Sequence, residues 1–147
     1  MIRMATSGTH TRPYSGVISR LKDSGLRPTR QRIALAKLLL ESDNRHVTAD
    51  ELHEEAKSAG VSVSLATVYN ALHQFTDAGL MREVVVESGR SYFDTNISDH
   101  HHFFHEDIGR LEDIPNDQVS VSELPDVPAG TTVSRVDVIV RISGLAD

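Results

Sequence analysis

Ser64-Leu65-Ala66-Thr67-Val68-Tyr69-Asn70-Ala71-Leu72-His73-Gln74-Phe75, followed by Met81–Glu87 and Arg90–Asp94, is the stretch whose reading decides the fold. Ser64 is placed to cap a helix, and Gly79 to end it. Leu65, Val68, Leu72 and Phe75 recur at steps of three, four and three residues, the spacing of one buried helical face. Opposite them fall Ala66, Thr67, Asn70 and Gln74, with Tyr69 and His73 on the flanks. That outer face carries no charge, which is unusual for a helix surface that meets only water. Small, hydrogen-bonding and aromatic side chains there suit base edges and thymine methyl groups. After the helix, Met81–Glu87 and Arg90–Asp94 read as two strands of a hairpin closed by Glu87-Ser88-Gly89-Arg90.

Three further helices are expected upstream. Residues 1–13 read as a flexible arm, rich in Thr, Ser, Gly and Arg. A helix from Tyr14 places Val17, Ile18 and Leu21 on one side and stops at Gly25. Pro28 stands near the start of the next, where its missing N–H costs nothing, and Ile33, Ala36, Leu39 and Leu40 form the stripe. Thr48, with Glu51 three positions on, makes a capping box for a third, in which Ala49, Leu52, Ala56 and Ala59 face inward up to Gly60. Helices ending in a two-stranded hairpin give a winged-helix domain over 14–94, whose last helix enters the major groove.

Residues 95–147 read as a second, smaller unit, making the fold class α+β. Strands are expected over 100–106 and Arg110–Ile114, joined around Gly109, and over Val133–Ile142, where Val136, Val138, Val140 and Ile142 alternate with polar residues. A short helix is expected over Asp117–Glu123, cut off by Pro125 and Pro128. So small a unit has a thin core, and pairing with a second copy is the simplest way to cover it.

Composition narrows the class. The chain has 147 residues, a net charge of −6 and no Cys, which removes disulfides, thiolate zinc sites and a Cys nucleophile together. It has no apolar run of membrane-spanning length and no apolar segment typical of a signal peptide near Met1, so a cytoplasmic protein without a membrane partner is expected. The charge is unevenly placed. Residues 1–40 carry eight Lys and Arg against Asp23 alone, whereas residues 95–147 carry ten acids against three arginines. A basic stretch often does no more than solvate a helix, but here it precedes the uncharged helical face and suits a polyanion.

Half of the eight histidines fall in Asp99-His100-His101-His102-Phe103-Phe104-His105. On a strand, His100 and His102 project to one side and His101 and His105 to the other; same-face neighbours lie roughly 7 Å apart, within reach of one metal ion. Asp94, at the end of the hairpin, and His46, before the third helix, can complete a nitrogen–oxygen ligand set. His101, with Asp99 or His105, can serve a second metal or haem iron. Without a thiolate, Fe, Zn and Mn all remain open.

Gly25-Leu26-Arg27-Pro28-Thr29-Arg30-Gln31-Arg32, His46-Val47-Thr48-Ala49-Asp50-Glu51-Leu52, Leu65-Ala66-Thr67-Val68-Tyr69-Asn70, Leu80 and Asp94 with the histidine run resemble the ferric-uptake-regulator superfamily over roughly Tyr14 to Ile142. Within it, the His-His-His-Phe-Phe-His stretch resembles the iron response regulator (Irr) subgroup of alphaproteobacteria, which is controlled through haem. The resemblance implies that the fourth helix reads DNA, with Tyr69 on thymine. It implies a metal site at His46, Asp94, His100 and His102, and a second, metal or haem, around Asp99 and His101, with His105 beside them. Departures are equally specific. The first Cys-x-x-Cys pair of many relatives falls on His105 and Ile108, so Cys-bound structural zinc is impossible; the last family His falls on Ser134, and Asn70 stands where others have Arg.

Together these imply an iron- or haem-responsive transcription regulator, not an enzyme, acting as a homodimer or a higher oligomer on an AT-rich palindromic operator. Arg12, Arg27, Arg30 and Arg90 are expected on the DNA backbone, with Ser64, Ala66, Thr67, Tyr69 and Asn70 on the reading helix. Haem, a divalent metal, or both are the expected cofactors. The alternatives are a regulator of the same build sensing peroxide, manganese or zinc, and, remotely, a metalloenzyme using Glu106 or Asp107 as base.

Overall fold

The computed structural model describes residues 15–87 and 89–144. The arm read over 1–13, Arg12 with it, and Ser88 of the hairpin turn lie outside the described residues. Two compact units meet in the chain between Ile97 and Ser98. That is three residues beyond Asp94, because Thr95 is tied back into the first unit: its N–H donates to Arg45 O (2.9 Å), and its hydroxyl accepts from the Arg45 N–H (2.9 Å).

The first unit runs α1 (Ser15–Asp23), α2 (Arg30–Leu40), β1 (His46–Val47), α3 (Ala49–Ser58), α4 (Leu65–Asp77), β2 (Arg82–Glu87) and β3 (Arg90–Asp94). The helices begin where their hydroxyl caps stand. Thr29 accepts from Arg32 N, Ser64 accepts from Thr67 N, and Thr48 exchanges hydrogen bonds with Glu51 in a complete capping box. At the far end of α4, Gly79 takes φ +84°, its N–H donating to Thr76 O and that of Leu80 to Phe75 O. The reversal needs the left-handed conformation, which a Cβ would strain. The same closure ends α1 at Gly25 and α3 at Gly60.

The helices bury Val17, Leu21, Leu35, Ala36, Leu39, Leu52, Ala56, Val68, Leu72 and Phe75 against Val47 and Phe93 from the strands and Met81 just before β2. Three details differ from the periodicity. Leu65 is 39% exposed and Ala71 is buried in its stead, because the first turn of α4 projects beyond the core. Leu35 is buried while Ile33 and Leu40 pack only at the edge of the core. Ala59 is exposed at the cap of α3. The hairpin also gains a strand: β1 pairs antiparallel with β3, giving the order β1-β3-β2, with a bulge between Val85 and Glu87.

The second unit contains β4 (His101–His105), β5 (Arg110–Ile114) and β6 (Ile139–Ile142) in the order β5-β4-β6, β5 antiparallel and β6 parallel to β4. Phe104, Leu111 and Ile114 are its buried apolar residues. The helix expected over Asp117–Glu123 is replaced by one 3-10 turn, Asn116–Gln118, after Pro115. Val119 returns to extended backbone, in keeping with the alternating Val and Ser that follow it. The strand expected over Val133–Ile142 forms only from Ile139. Its register sets His102 beside Ile139, so Val138 is level with His101, the first residue of β4, and the residues before Val138 run past the strand's start. Val121, Leu124, Val127 and Val133, on this unpaired segment, are exposed.

Replacing Thr48 by Ala removes one of two reciprocal cap bonds and is expected to cost about 1 kcal/mol. Urea unfolding followed by circular dichroism measures it: the midpoint falls, and the slope stays unchanged.

Candidate metal centre and nucleic-acid interface

In the first unit, strand pairing brings two of the expected ligands together. His46 and Asp94 are direct partners across β1 and β3. Asp94 is fully buried and accepts a hydrogen bond from Asn96 N (2.9 Å), while His46 is half-buried with its ring edge-on to Tyr92. Arg45, just before, holds Glu55 of α3 through a bidentate pair (Nη1 to Oε1, 2.9 Å), and this hydrogen bond raises its pKa. The strand that carries His46 is thus fastened on both sides: to α3 by Arg45, and to the end of β3 by Thr95.

In the second unit, His100 and His102 lie on one face with ring centroids 4.6 Å apart. Both are buried, and both Nε2 atoms approach Asp113 Oδ1, at 3.4 and 3.3 Å. One ligand atom from each of the three residues lies within 4.8 Å of the others. Sequence reading missed Asp113. The signal was present: a hairpin around Gly109 that pairs His105 with Arg110 also pairs His102 with Asp113.

The donor set suits a divalent ion. The Nδ1 of His100 lies 2.7 Å from Ser98 O and must donate its hydrogen there. Nε2, which faces Asp113, then carries the lone pair that a metal would take, the arrangement by which ligating histidines are usually oriented. Two imidazoles and a carboxylate are a borderline-hard set, compatible with Fe, Mn or Zn.

Of the residues expected at a second site, Asp99 and His101 are brought to one cavity and His105 is not. Asp99 and His101 share a cavity of about 290 Å³ with Asn116, Leu124 and Ser134. His105 is elsewhere: its Nε2 is 2.8 Å from Glu112 Oε1, which Arg110 also binds. His105 and Arg110 together hold the Glu112 carboxylate below its usual range.

The surface expected from the sequence to face DNA belongs to the first unit. Ser64, Leu65, Ala66, Tyr69 and Asn70 are exposed along the first turns of α4, and Thr67 is half-buried there. Tyr69 is backed by His73 (centroids 5.2 Å) and Phe93 (6.3 Å, edge-on), and His73 meets Phe93 edge-on at 5.4 Å. Arg32 of α2 clamps α4, donating from Nε and Nη2 to Gln74 Oε1 (3.2 and 2.9 Å) and from Nη1 to Arg27 O (2.9 Å). Arg27 and Arg30 stand exposed beside it, and Arg90 is exposed at the hairpin, paired with Glu87.

Comparison with known proteins places this architecture. The sequence profile described as "Ferric uptake regulator family" matches residues 23–139. The ferric uptake regulation protein of Shigella flexneri is 36% identical over 104 residues, 70% of each chain. That of Escherichia coli K12 is 35% identical over the same span and shares. The ferric uptake regulator of Pseudomonas aeruginosa, solved with manganese, superposes with a TM-score of 0.67 at 24% identity, covering 87% of this chain and 97% of its own. The Vibrio cholerae regulator gives 0.67 at 24% identity over 86% and 98%. At that identity the structures speak for the fold alone, an α+β winged-helix domain followed by a dimerisation domain. The sequence relatives and the profile carry the rest: this chain belongs to the ferric uptake regulator family, whose members are metal-responsive, DNA-binding transcription regulators that act as dimers and are not enzymes.

Proposed function

We propose that the chain is an iron-responsive regulator that holds its ion at His100, His102 and Asp113, with His46 and Asp94 the further ligands that the resemblance implies. The observation that carries this is the His100–His102–Asp113 cluster with its pre-oriented His100 ring. The pairing of His46 with Asp94 supports it, since two further ligands already stand side by side at the end of the hairpin. Iron is favoured over zinc or manganese by the curated relatives, which are named ferric uptake regulation proteins. The resemblance of the histidine stretch to iron response regulators adds haem as a second form of the same signal.

A divalent ion bound there supplies a positive centre that offsets Asp94, a fully buried carboxylate, and Asp113. The chain's own residues do the rest. Ser98 O holds the His100 tautomer, and the β4–β5 ladder fixes the spacing of His102 and Asp113. Arg45 and Thr95 keep the strand bearing His46 against β3. An ion that binds one state of the protein better shifts the population toward that state, which is how metal occupancy would control DNA binding.

On DNA, α4 would lie in the major groove. Ala66, Thr67, Tyr69 and Asn70 would meet base edges, while Ser64 remains bonded to Thr67 N as the helix cap. Arg27, Arg30 and Arg90, with Arg12 of the arm, would hold phosphates, one half-site of an AT-rich palindrome per subunit. Val121, Leu124, Val127 and Val133 offer the apolar surface that a second copy would cover.

Two measurements test this. Mobility shift on an inverted AT-rich repeat should show affinity that falls with salt and changes when Fe(II) or Mn(II) is added. Replacing Arg30 by Ala should weaken binding to all sequences alike and reduce the salt slope by about 1. An affinity that ignores salt and metal would overturn the reading. Asp113→Asn removes a ligand without changing volume and should weaken Fe(II) or Co(II) binding at least about tenfold while leaving the circular dichroism intact; unchanged affinity would remove Asp113 from the set.

A further inference from the structure

His100, His101 and His102 are consecutive in the sequence, but the middle ring is engaged differently. We infer that His101 is not a ligand for metal or haem iron but a positioning residue that fixes Val138 against β4. The N–H of Val138 donates to His101 Nδ1 at 3.1 Å, and the N–H of His102 donates to Val138 O at 3.1 Å. Both backbone polar groups of Val138 are therefore held by two successive histidines, one through its ring and the other through its main chain.

The chemistry follows from the tautomer. A neutral imidazole has one nitrogen with a free lone pair and one carrying hydrogen. In His101 the Nδ1 lone pair is taken by Val138, so Nε2 carries the hydrogen and offers a metal nothing to bind. Ligation through Nε2 would need a ring stripped of both hydrogens. Ligation through Nδ1 would break the Val138 bond and leave a backbone N–H without its acceptor, beside a ring that is only 8% exposed. His100 is the internal contrast: its Nδ1 donates to Ser98 O, and its Nε2 faces Asp113.

The surroundings do not make up for the lost ligand. Of the groups expected at a second site, the cavity holds Asp99 but not His105, whose ring is bonded to Glu112. Ser134, where the resemblance puts a histidine, lines the cavity with a hydroxyl. Asp99 by itself is not a metal site. The Val138 contact has a different use. Val138 immediately precedes β6, at the end of the irregular segment that carries the exposed Val121, Leu124, Val127 and Val133. His101 thus ties the end of that apolar segment to the strand bearing His102, and it does so whichever ion the His100, His102 and Asp113 cluster takes.

The experiment combines tautomer and stoichiometry on the full-length protein. Nitrogen-15 spectra of the metal-free protein near neutral pH are expected to show His101 with hydrogen on Nε2 and an acceptor Nδ1. His101→Asn keeps an acceptor where Nδ1 stood and has no second ring nitrogen. It should bind as many equivalents of Co(II) as the wild type, give the same Soret change on haemin titration, and keep the Val138 amide protected from exchange. His101→Leu should keep the Co(II) stoichiometry but lose Val138 protection at least tenfold. A Co(II) equivalent or a haemin Soret band present in the wild type and lost in His101→Asn would overturn the inference. So would a wild-type His101 carrying its hydrogen on Nδ1.

Discussion

Antiparallel strand register does the assembling in this protein. A carboxylate and an imidazole far apart in sequence must be held within a few ångströms if a cation is to use both, and ordering long flexible loops to do so is entropically costly. Here the backbone ladders supply that order. In the first unit β1 contributes only two residues, but its pairing puts His46 opposite Asp94 and Val47 opposite Phe93. In the second, the β4–β5 ladder sets His102 opposite Asp113. A slip of one residue in either ladder would turn these side chains to the other face. Val47 and Phe93 oppose such a slip in the first, since both are almost wholly buried and would be turned out of the core. In the second, Phe104, Leu111 and Ile114 do the same, Phe104 and Leu111 being direct partners. Apolar packing therefore fixes the position of the polar ligands, at a gain of roughly 1.5–3 kcal/mol for each large side chain taken fully out of water.

The burial of so many polar groups would otherwise be hard to sustain. Asp94, His100, His101 and His102 are all buried, together with Arg82 and Thr95. Groups of this kind are tolerated only when hydrogen-bonded or paired. Asp94 accepts from Asn96 N, His100 donates to Ser98 O, His101 accepts from Val138 N, and Thr95 bonds Arg45 in both directions. Each of these partners is a main-chain group next to a strand end, so these side chains are oriented by the backbone itself. Two rings of the same type, one residue apart, reach opposite hydrogen-bonding states because the carbonyl of Ser98 faces one and the N–H of Val138 faces the other.

Much of this was legible in the sequence. The capping residues Thr29, Thr48 and Ser64, the closing glycines and the hairpin after α4 all follow from local rules, because caps and turns involve neighbours in the chain. Tyr69, Asn70 and Ala66 could be placed on an uncharged outer face by periodicity alone. What escaped the reading depends on residues distant in sequence. Leu65 satisfies the helical period but lies beyond the core, and no local rule marks where a core ends. His46–Val47 is too short to alternate, so β1 becomes visible only as the partner of β3. Val133–Asp137 continues the alternation of the strand, yet an alternating segment becomes a strand only where a neighbour runs beside it. The neighbour here begins at His101. The tautomer of His101 was beyond reach for the same reason, since its partner lies 37 positions away.

The same ladder that holds Asp94 also reaches α4, the helix proposed to read DNA. Successive side chains on a strand point to opposite faces, so Phe93 and Asp94 look in different directions from adjacent positions of β3. Phe93 has no exposed surface and meets the rings of Tyr69 and His73 on α4 edge-on. Close-packed interiors transmit displacement because they have little free volume in which to absorb it. A shift at the end of β3 must therefore be met either by Phe93 leaving its contacts or by Tyr69 moving with it, and the full burial of Phe93 disfavours the first. Tyr69, the residue proposed to present an aromatic ring to DNA, is thereby supported by the neighbour of a buried carboxylate, through one peptide bond and one aromatic contact.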